Sequence, residues 1–599
     1  MGKDNGTRRN RTTDTVRREG SRGSGRALFP KVGRVAALLL FGTVLAARGG
    51  LGPMQTLVVV NGNDRESRAL GEWYAEVHGL PANHVCTVKT KAGRQNISVG
   101  DFEGNIRAGV EEHLRKEGLR GQIQAVVYCW QGPTRVGDFN SLTGVHFYGF
   151  KEKGGGGCRL EEGSRNRYFG SGKAFSATGG WSETGAPIGF VLTARDLATA
   201  KAVAQRGAES AGAALAGGRD EDAAMLLSGS GDPARSVRSR LAGGAAARLA
   251  AAGMRGRTMV TASPPAEPPK MAVCELGQGY LPGAWRSNGV AFAAGAYADN
   301  LTSCGGQLPD PCYGQHGVWE WLEAGATATS GTVSEPCNFP QKFAHPMMAY
   351  WYGRGFSAGE ALLMSVENPY QLLFAGDPLA APFAAGPAVR LLQPVQGETV
   401  AGTVELELEI EAHEAGTPGV YADLYIDGRF YTPMARPLSA AGNEIRVQIG
   451  DEEFRHTVGR DEDLAGVAEG LAWDIRTAAK GNIQAVAVGD AVFVTCAAEE
   501  DGRGPELSAR VEAGLGKEVR AGVRTGGEGG RMAVVEEGKA AGAVFLHLGA
   551  VEKYRLPYAV DLSFLPEGMH RLTVVVRDGT AVQAQGQADV TVRIVRPGS

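Results

Sequence analysis

Hydrophobic residues follow two different spacings along the first part of the chain. Short continuous apolar runs, typical of strands that are buried on both faces, occur at 57–60, 85–88, 123–129 and 186–193. Segments with apolar residues at helical spacing follow these runs, at 67–77, 103–117 and 196–215. Alternating strands and helices predict a doubly wound, mostly parallel α/β sheet whose functional loops follow the strand ends.

A two-residue alternation of apolar and polar positions replaces this pattern after Val389. Thr403–Ile410 alternates strictly, and Asp427-Gly428 is typical of a hairpin turn. These short, half-exposed strands predict a β-sandwich tail. Residues 440–535 depart from the alternation, because a strand, an amphipathic helix and a hairpin indicate a small α+β module inserted into a sandwich loop.

These changes of pattern divide the chain into four parts. The predicted boundaries are 1–47 for an amino-terminal signal or anchor, 55–385 for the α/β domain, 389–439 with 536–598 for the sandwich, and 440–535 for the inserted module. A chain of 599 residues is too long for one ordinary core, so several domains are expected from length alone.

The amino-terminal part has the layout of a secretory signal. Residues 1–34 are rich in arginine, and an apolar run at 35–47 follows and ends in Ala46-Ala47. The run is shorter than the about 20 residues that a membrane-spanning helix needs. We therefore expect an exported protein of the periplasm, cell surface or extracellular space, with 1–47 either cleaved or kept as an anchor and the membrane contacted only there. A buried hydrophobic strand is the alternative interpretation of this run.

Charge and cysteine spacing argue against several classes of ligand. The formal net charge of -3 gives no general attraction to nucleic acid. The loop Asn61-Gly62-Asn63 lacks the GxGxxG spacing of a dinucleotide site. The eight cysteines form no CxxC pair and no Cys/His ligand spacing, which argues against a structural zinc site. We therefore expect neither a cofactor nor a bound metal.

Candidate chemistry is concentrated between Ala293 and Phe383. A thiolate nucleophile needs a base within hydrogen-bond reach and a further group that orients this base. Two combinations provide these parts: Cys337 with His345 and either Glu335 or Asn338, and Cys304 with Asp299 and His316.

Each of these residues also has an ordinary structural interpretation. In an oxidising compartment, two of Cys304, Cys312 and Cys337 can form a disulfide. His345 can bond to the backbone, and Asp299, like Asp377, can cap a helix or turn. A metal site built from Asp299 and Glu335 has no supporting ligand spacing. Glu335 is the residue that we most expect to act at the site.

The same region carries a family resemblance. Three segments, 298–306, 321–346 and 376–383, resemble the patterns ADxLTSxGG, WLxAGATAxxGTVxEPCNxxxKFxxP and GxPLAxPF, and the segment from Val58 resembles VVVNGNxxxSRxLxxxY. In these motifs the chain is similar to an uncharacterised bacterial family found in genomes that also encode exosortase. The resemblance implies a cell-envelope setting and no particular reaction.

More remotely, the layout is similar to that of caspase and gingipain-like cysteine peptidases, which end in a turn like Ala375–Pro378. Those enzymes carry His-Gly after one strand and Cys after the next strand. We align the His-Gly position with Gly295-Ala296, which contains no histidine. The tail resembles bacterial immunoglobulin-like modules in its LYIDG and GxHxLTVVVRD strands.

Two functions therefore compete. The missing His-Gly, the immunoglobulin-like tail and the genomic setting of the family favour a binding or assembly protein, whose partner is an unknown protein or a cell-surface polymer. The alternative is a divergent hydrolase of the cysteine peptidase type, so the sequence leaves open whether the chain is an enzyme. Either function predicts that 299–306 and 332–345 meet at the carboxyl edge of the sheet, together with Asn61–Asn63.

Overall fold

The computed structural model describes residues 44–596 except 94, 152–157, 161–163, 217–223, 255–256, 414–416, 436–439, 513–519, 528 and 550–551. The basic segment at 1–34 and most of the apolar run at 35–47 thus lie outside the described residues. Residues from Gly42 onward form one compact unit. Within the described ranges, no helix is long and apolar enough to cross a membrane.

The strands of the amino-terminal part are β1 (Val44–Arg48), β2 (Thr56–Asn61), β3 (Val85–Val88), β4 (Asn96–Ile97), β5 (Ala125–Cys129), β6 (Arg135–Val136), β7 (Asn140–Ser141), β8 (Ile188–Leu192), β9 (Ala224–Ser228), β10 (Thr258–Thr261), β11 (Met271–Leu276), β12 (Phe292–Asn300), β13 (Ala328–Thr332) and β14 (Leu372–Gly376). The helices of this part are α1 (Arg65–His78), α2 (Val99–Asp101), α3 (Ala108–Glu117), α4 (Leu142–Tyr148), α5 (Gly180–Thr184), α6 (Leu197–Glu209), α7 (Ala213–Ala216), α8 (Ala242–Ala251), α9 (Gly283–Asn288), α10 (Val318–Glu323), α11 (Met347–Gly353) and α12 (Ala358–Ser365).

The strands of the carboxy-terminal part are β15 (Ala388–Gln393), β16 (Thr399–Val400), β17 (Thr403–Glu411), β18 (Gly419–Ile426), β19 (Arg429–Ala435), β20 (Glu444–Ile449), β21 (Glu452–Thr457), β22 (Gln484–Val488), β23 (Ala491–Ala497), β24 (Leu507–Glu512), β25 (Arg520–Gly526), β26 (Ala533–Glu536), β27 (Lys539–Gly549), β28 (Lys553–Asp561), β29 (Gly568–Asp578) and β30 (Gln585–Ile594). Among the described residues of this part, one α-helix occurs, α13 (Leu464–Ala478).

A large, mostly parallel sheet forms the centre of the amino-terminal part. Its strand order is β10-β9-β11-β12-β13-β14-β8-β5-β2-β3. Neighbours run parallel from β3 to β8 and from β10 to β13, whereas β14 runs antiparallel to β13. In β2, Val58 and Val60 join one core cluster while Leu57 and Val59 join another, because both faces of the strand are covered. The predicted α/β class is thus confirmed in outline.

The carboxy-terminal part contains several antiparallel sheets. One is the three-stranded sheet β15-β17-β28, and another has the order β1-β30-β29-β18-β19. The alternation in β17 works as predicted, since Val404, Leu406, Leu408 and Ile410 are buried in a common core with residues of the facing sheet.

The inserted module has its own sheets around one helix. It contains the three-stranded sheet β21-β20-β24 and a five-stranded sheet in which β27 pairs with β23, β25 and β26. The apolar face of α13, including Val467, Leu471 and Ile475, packs in the core of this module. Because β27 belongs to the five-stranded sheet, the module extends to Gly549, beyond the predicted boundary at 535.

The tail is not self-contained, although the alternating pattern after Val389 predicts a separate β-sandwich. β1 pairs antiparallel with β30, with Val44 opposite Ala588, so the predicted boundary at 47 falls inside a strand of a tail sheet. Phe493 and Phe545 of the module belong to the same core cluster as the large sheet. The buried ion pair between Arg354 and Asp490, at 2.8 Å, joins the same two parts.

Candidate functional site

The loops after β12 and β13 lie side by side at the edge of the large sheet where both strands end. Thr332 Oγ1 donates a hydrogen bond to the carbonyl oxygen of Ser303 at 3.0 Å, and the Gly306 N–H donates to that of Thr332 at 2.8 Å. A Cβ atom placed on Gly331 would lie 2.6 Å from the carbonyl carbon of Gly305, so glycine permits this close approach. The prediction that 299–306 and 332–345 meet is confirmed.

Asn61–Asn63 does not join these loops. Three strands, β5, β8 and β14, separate β2 from β13 in the sheet. Asn63 lines a different cavity of about 390 Å³ together with Lys89, Lys91 and Asp101. This part of the spatial prediction is wrong, because β14 runs antiparallel to β13 and parallel to β8, β5 and β2, so β2 ends at the opposite edge of the sheet from β13.

A cavity of about 290 Å³ lies between the loops after β12 and β13, and we call it the edge cavity. Its lining combines apolar and polar side chains: Ala234, Arg235, Leu301, Thr302, Ser303, Glu335, Pro336, Cys337, Asn338 and Phe343. Leu301 and Phe343 are buried, whereas Glu335 and Asn338 are exposed. The Nε of Arg235 is buried without a hydrogen-bond partner among the described residues, so it is an unused donor at this cavity.

Both candidate nucleophiles are half-cystines. Cys337 is bonded to Cys158, with 5.1 Å between their Cα atoms, and Cys304 is bonded to Cys312, with 5.8 Å. A disulfide sulfur is not a thiolate, so neither predicted nucleophile is available in this state. The sequence had indicated a disulfide within the cluster, and Cys304–Cys312 fulfils that interpretation. It missed Cys158, because nothing in the glycine-rich sequence around that residue specifies a distant partner.

The predicted bases are engaged with the backbone. His345 Nδ1 accepts a hydrogen bond from the Met347 N–H at 3.0 Å, and burial, helped by the nearby Arg248 and Arg238, lowers the pKa of His345. His316 Nδ1 accepts from the Leu281 N–H at 2.7 Å. His345 therefore has the backbone-bonding role that was its structural alternative, His316 has a similar one, and neither ring uses Nδ1 to bond a carboxylate.

Glu335 has a local role that the sequence did not show. Its Oε1 accepts a hydrogen bond from the Cys337 N–H at 2.8 Å, which stabilises the turn where Cys337 takes a left-handed backbone conformation with φ of 56°. The side chain is exposed at the mouth of the edge cavity. Glu335 can thus meet a ligand while it shapes the loop.

Asp299 lies beneath the cavity in a buried polar network. Its carboxylate accepts hydrogen bonds from Arg238 Nη1 at 2.9 Å, from Arg238 Nη2, and from the Tyr297 hydroxyl at 2.7 Å. The Ser330 hydroxyl donates to it at 3.3 Å. Asp299 is 3% exposed, so it acts here as a buried partner of Arg238 and is not a group at the cavity surface.

Glu275 is the member of this network that sequence reasoning missed. It is 2% exposed, it faces Asp299 across β11 and β12, and neither of its carboxyl oxygens has a hydrogen-bond partner among the described residues. Burial raises the pKa of Glu275 to about 8, against the opposing effect of Arg238, whose Nη1 lies 4.0 Å from Oε2. A signal was present, because an acidic residue inside the apolar strand β11 is rarely buried without a role.

Asp377 belongs to a second buried network. It follows β14 in the chain, whereas the loops of the edge cavity precede β14. Its carboxylate binds His78 Nε2 at 2.7 Å and the Tyr74 hydroxyl at 2.9 Å, and it accepts from the Leu379 N–H at 2.9 Å. Arg48 at the end of β1 reaches His78 Nδ1 at 3.3 Å. The turn-capping interpretation of Asp377 holds, and the network adds a structural tie between α1, β1 and the turn after β14.

The proposed His-Gly position needs a correction. Gly295-Ala296 lies inside β12, whereas the adjacent parallel strands β11 and β12 end at Leu276 and Asn300. Gln278-Gly279 follows β11, and the Asn300 side chain donates to the Gln278 carbonyl at 3.2 Å. Among the described residues, no group of three or more His, Cys, Asp and Glu side chains could hold a metal ion, and Asp299 and Glu335 do not form such a group.

Comparison with known proteins adds little to this geometry. No family model and no curated protein matches the chain. A solved structure described as "Structure of Protease" is 8% identical over 90% of this chain and 97% of its own, with a TM-score of 0.35. The fibronectin(III)-like modules of Clostridium thermocellum CbhA are 14% identical over 35% of this chain and 94% of their own, with a TM-score of 0.07. TM-scores this low carry no argument about fold or function.

Proposed function

We propose that the chain is an exported cell-envelope or surface protein that binds a protein or a cell-surface polymer through the edge cavity. The observation that carries this proposal is the pair of disulfides, since Cys158–Cys337 and Cys304–Cys312 restrain the loops that form the cavity. Disulfides persist in oxidising compartments, which supports export. Restrained loops with mixed apolar and polar lining favour binding, because little freedom is lost when a ligand arrives.

We further propose that the α/β domain follows the caspase and gingipain outline without the peptidase machinery, and that the tail is immunoglobulin-like. Those peptidases place His-Gly and Cys after neighbouring strands. Here the neighbouring strands β11 and β12 are followed by Gln278-Gly279 and by Leu301-Thr302, which supports a binding role for this edge.

Binding can be tested with isolated peptidoglycan as the first cell-surface polymer. We expect the purified protein to co-sediment with it, and Glu335→Gln to weaken binding by about tenfold, because a charged hydrogen-bonding group is lost at the cavity mouth. Glu537→Gln, at an exposed position of the inserted module, is the matched control and should bind normally. Equal binding by wild type and Glu335→Gln would contradict a role for the edge cavity.

The alternative is a cysteine hydrolase that works in a reduced form. One observation favours it: Cys337 lines the edge cavity, so reduction of its disulfide would place a free thiol there. Such a thiol would still need a base, and His345 is committed through Nδ1 to the Met347 N–H.

A thiol-alkylating probe separates the two functions. In the untreated protein we expect no alkylation of Cys158, Cys304, Cys312 or Cys337, and only slow alkylation of the half-buried Cys496. Peptide hydrolysis that appears on reduction and is lost in Cys337→Ser, but is retained in Cys496→Ser, would overturn the binding proposal in favour of the hydrolase.

A further inference from the structure

Glu275 is a buried acid that the proposed binding site leaves unused. We propose that Glu275, Arg238 and Asp299 form a proton-operated latch, which holds loop 229–241 against the sheet edge while Glu275 is protonated and releases it when Glu275 ionises. The inference rests on the proposed function, because this loop supplies Ala234 and Arg235 to the edge cavity. The latch would make the edge cavity depend on pH.

Arg238 is the anchor of the loop. Its guanidinium donates to both carboxylate oxygens of Asp299, to the carbonyl oxygen of Leu276 at 3.3 Å and to that of Ala344 at 3.2 Å. These bonds connect the loop to the ends of β11 and β12 and to the segment before α11. Arg238 is 3% exposed, so the loop cannot leave the edge without breaking this buried cluster.

Glu275 lies where it can disturb that anchor. In the sheet it is flanked by Leu227 of β9 and by Asp299 of β12, and its Oε2 is 4.0 Å from Arg238 Nη1. Both carboxyl oxygens lack a hydrogen-bond partner among the described residues. An unsatisfied buried group of this kind destabilises a folded protein, which makes a purely structural role a poor explanation of its position.

The charges around Glu275 balance only while it is neutral. Arg238 faces it from the loop, Asp299 and Tyr297 belong to β12, and Leu227 of β9 carries no charge. His345, on the segment before α11, is near enough for Arg238 to contribute to the lowering of its pKa. One guanidinium and one carboxylate compensate each other, so ionised Glu275 adds a buried negative charge without a partner.

The direction of the pH effect follows from proton linkage. Burial raises the pKa of Glu275 to about 8 while the loop is closed, whereas a solvated carboxyl keeps its ordinary value of 4.5 when the loop is open. The open state therefore releases a proton that the closed state holds. The opening equilibrium should rise by as much as about tenfold per pH unit between these two values and level off above the higher one.

The remaining contacts of the loop do not titrate in this range. The Ser230 hydroxyl donates to the Gly277 carbonyl, and the Gly229 N–H donates to that of Thr261 at 2.9 Å. These neutral hydrogen bonds keep the same strength as the pH changes. An opening of 229–241 that increases with pH therefore reports on the acid–arginine cluster, since His345, whose pKa Arg238 helps to lower, would favour opening at low pH.

Hydrogen–deuterium exchange of the full-length protein tests the latch without any ligand. After division by the intrinsic exchange rate, exchange of the 229–241 amides in the wild type should increase from pH 5.5 to 8 and then become constant. Glu275→Gln cannot ionise and should remove this increase, while Glu267→Gln, an exposed position ahead of β11, should keep it. Corrected exchange in the wild type that is independent of pH would overturn the latch even if Glu275→Gln fails to fold.

Co-sedimentation with peptidoglycan across the same pH range separates this inference from the proposed function. Binding that is lost in Glu335→Gln but does not change between pH 5.5 and 8.5 in the wild type would overturn the regulation and leave the binding site intact. Binding absent at every pH, with the exchange pattern as expected, would remove the proposed function and leave the latch as a property of the loop.

Discussion

At the scale of single residues, the chain buries acids whose pKa values are raised to neutral pH or above. Burial raises the pKa of Glu275 to about 8 and the pKa values of Glu360 and Asp578 to about 7. Glu360 and Asp578 each accept backbone N–H bonds that partly offset this effect, from Phe175 and from Thr580 respectively, but Glu275 has none.

The contribution of these acids to the stability of the protein should therefore fall as the pH rises from about 5 to about 8. In this window the folded state holds protons that the unfolded state releases, so the stabilisation is complete below the ordinary carboxyl pKa and is lost as the pH passes the raised values. We expect Glu275→Gln to reduce the loss by about 2–4 kcal/mol in urea unfolding at pH 5.5 and 8.5. Glu267→Gln is the control, and a profile for Glu275→Gln that matches the wild type would contradict the assignment.

The sequence could find only part of the site at this scale. It located Glu335, Cys337 and Asp299, because the segments in and after the ends of β12 and β13 stand out in composition. It could not identify the partner of Cys337 or the burial of Asp299 beneath Arg238, since both depend on contacts between residues far apart in the chain. Glu275 could not be recognised as a site residue from the sequence, because it lies in the otherwise apolar strand β11.

At the scale of elements, the edge cavity depends on how closely β13 approaches the loop after β12. Gly331 lies in β13 against Gly305 and Gly306: a Cβ atom on Gly331 would overlap the Gly305 backbone, and one on Gly306 would overlap the Gly331 carbonyl. Bulkier residues than glycine at positions 306 and 331 would separate the two loops that line the cavity. Small residues here are thus a packing requirement of the site.

Gly331→Ala should destabilise the protein by about 1–3 kcal/mol, because the added methyl group overlaps the Gly305 backbone. Gly243→Ala is the matched control: nothing lies within 4 Å of its Cβ position in α8, so we expect a gain of about 0.5–1 kcal/mol from helix propensity. Urea unfolding measures both changes. Equal stability of Gly331→Ala and wild type would show that the loops can move apart at no cost.

The order of elements was largely predictable, whereas their membership in sheets was not. Apolar runs of strand length placed β2, β5 and β8 correctly. The sequence of β27, with alanine and glycine in its first half, has no clear two-residue period, so its place in the module sheet was missed. Periodicity identifies a strand, but pairing partners depend on the packed layers.

At the scale of the whole molecule, the α/β part and the inserted module share a buried polar contact. Arg354, which directly follows α11, bonds Asp490 at 2.8 Å, and its guanidinium lies 4.5 Å from the ring centroid of Phe545. Asp490 in turn accepts the Ala581 N–H at 2.6 Å. The module is therefore attached through charge and aromatic contacts that exclude water.

Arg354→Ala should cost about 3–5 kcal/mol, because it leaves the Asp490 carboxylate buried without its partner. Arg115→Ala, which breaks an exposed pair with Glu112, should change stability little. Limited proteolysis should also show earlier cleavage of the module in Arg354→Ala than in the wild type. Unchanged stability and cleavage would mean that the two parts hold together without this ion pair.

The pairing of β1 with β30 also sets the order of folding. The two strands meet at Val44 and Ala588, so this sheet can be completed only when nearly the whole chain is present and free to fold. Closing such a long loop is slow, because its entropy must be lost before the strand contacts form. A polypeptide that stops before β30 leaves an unpaired strand edge, and such prematurely terminated chains are expected to aggregate instead of persisting as smaller folded proteins.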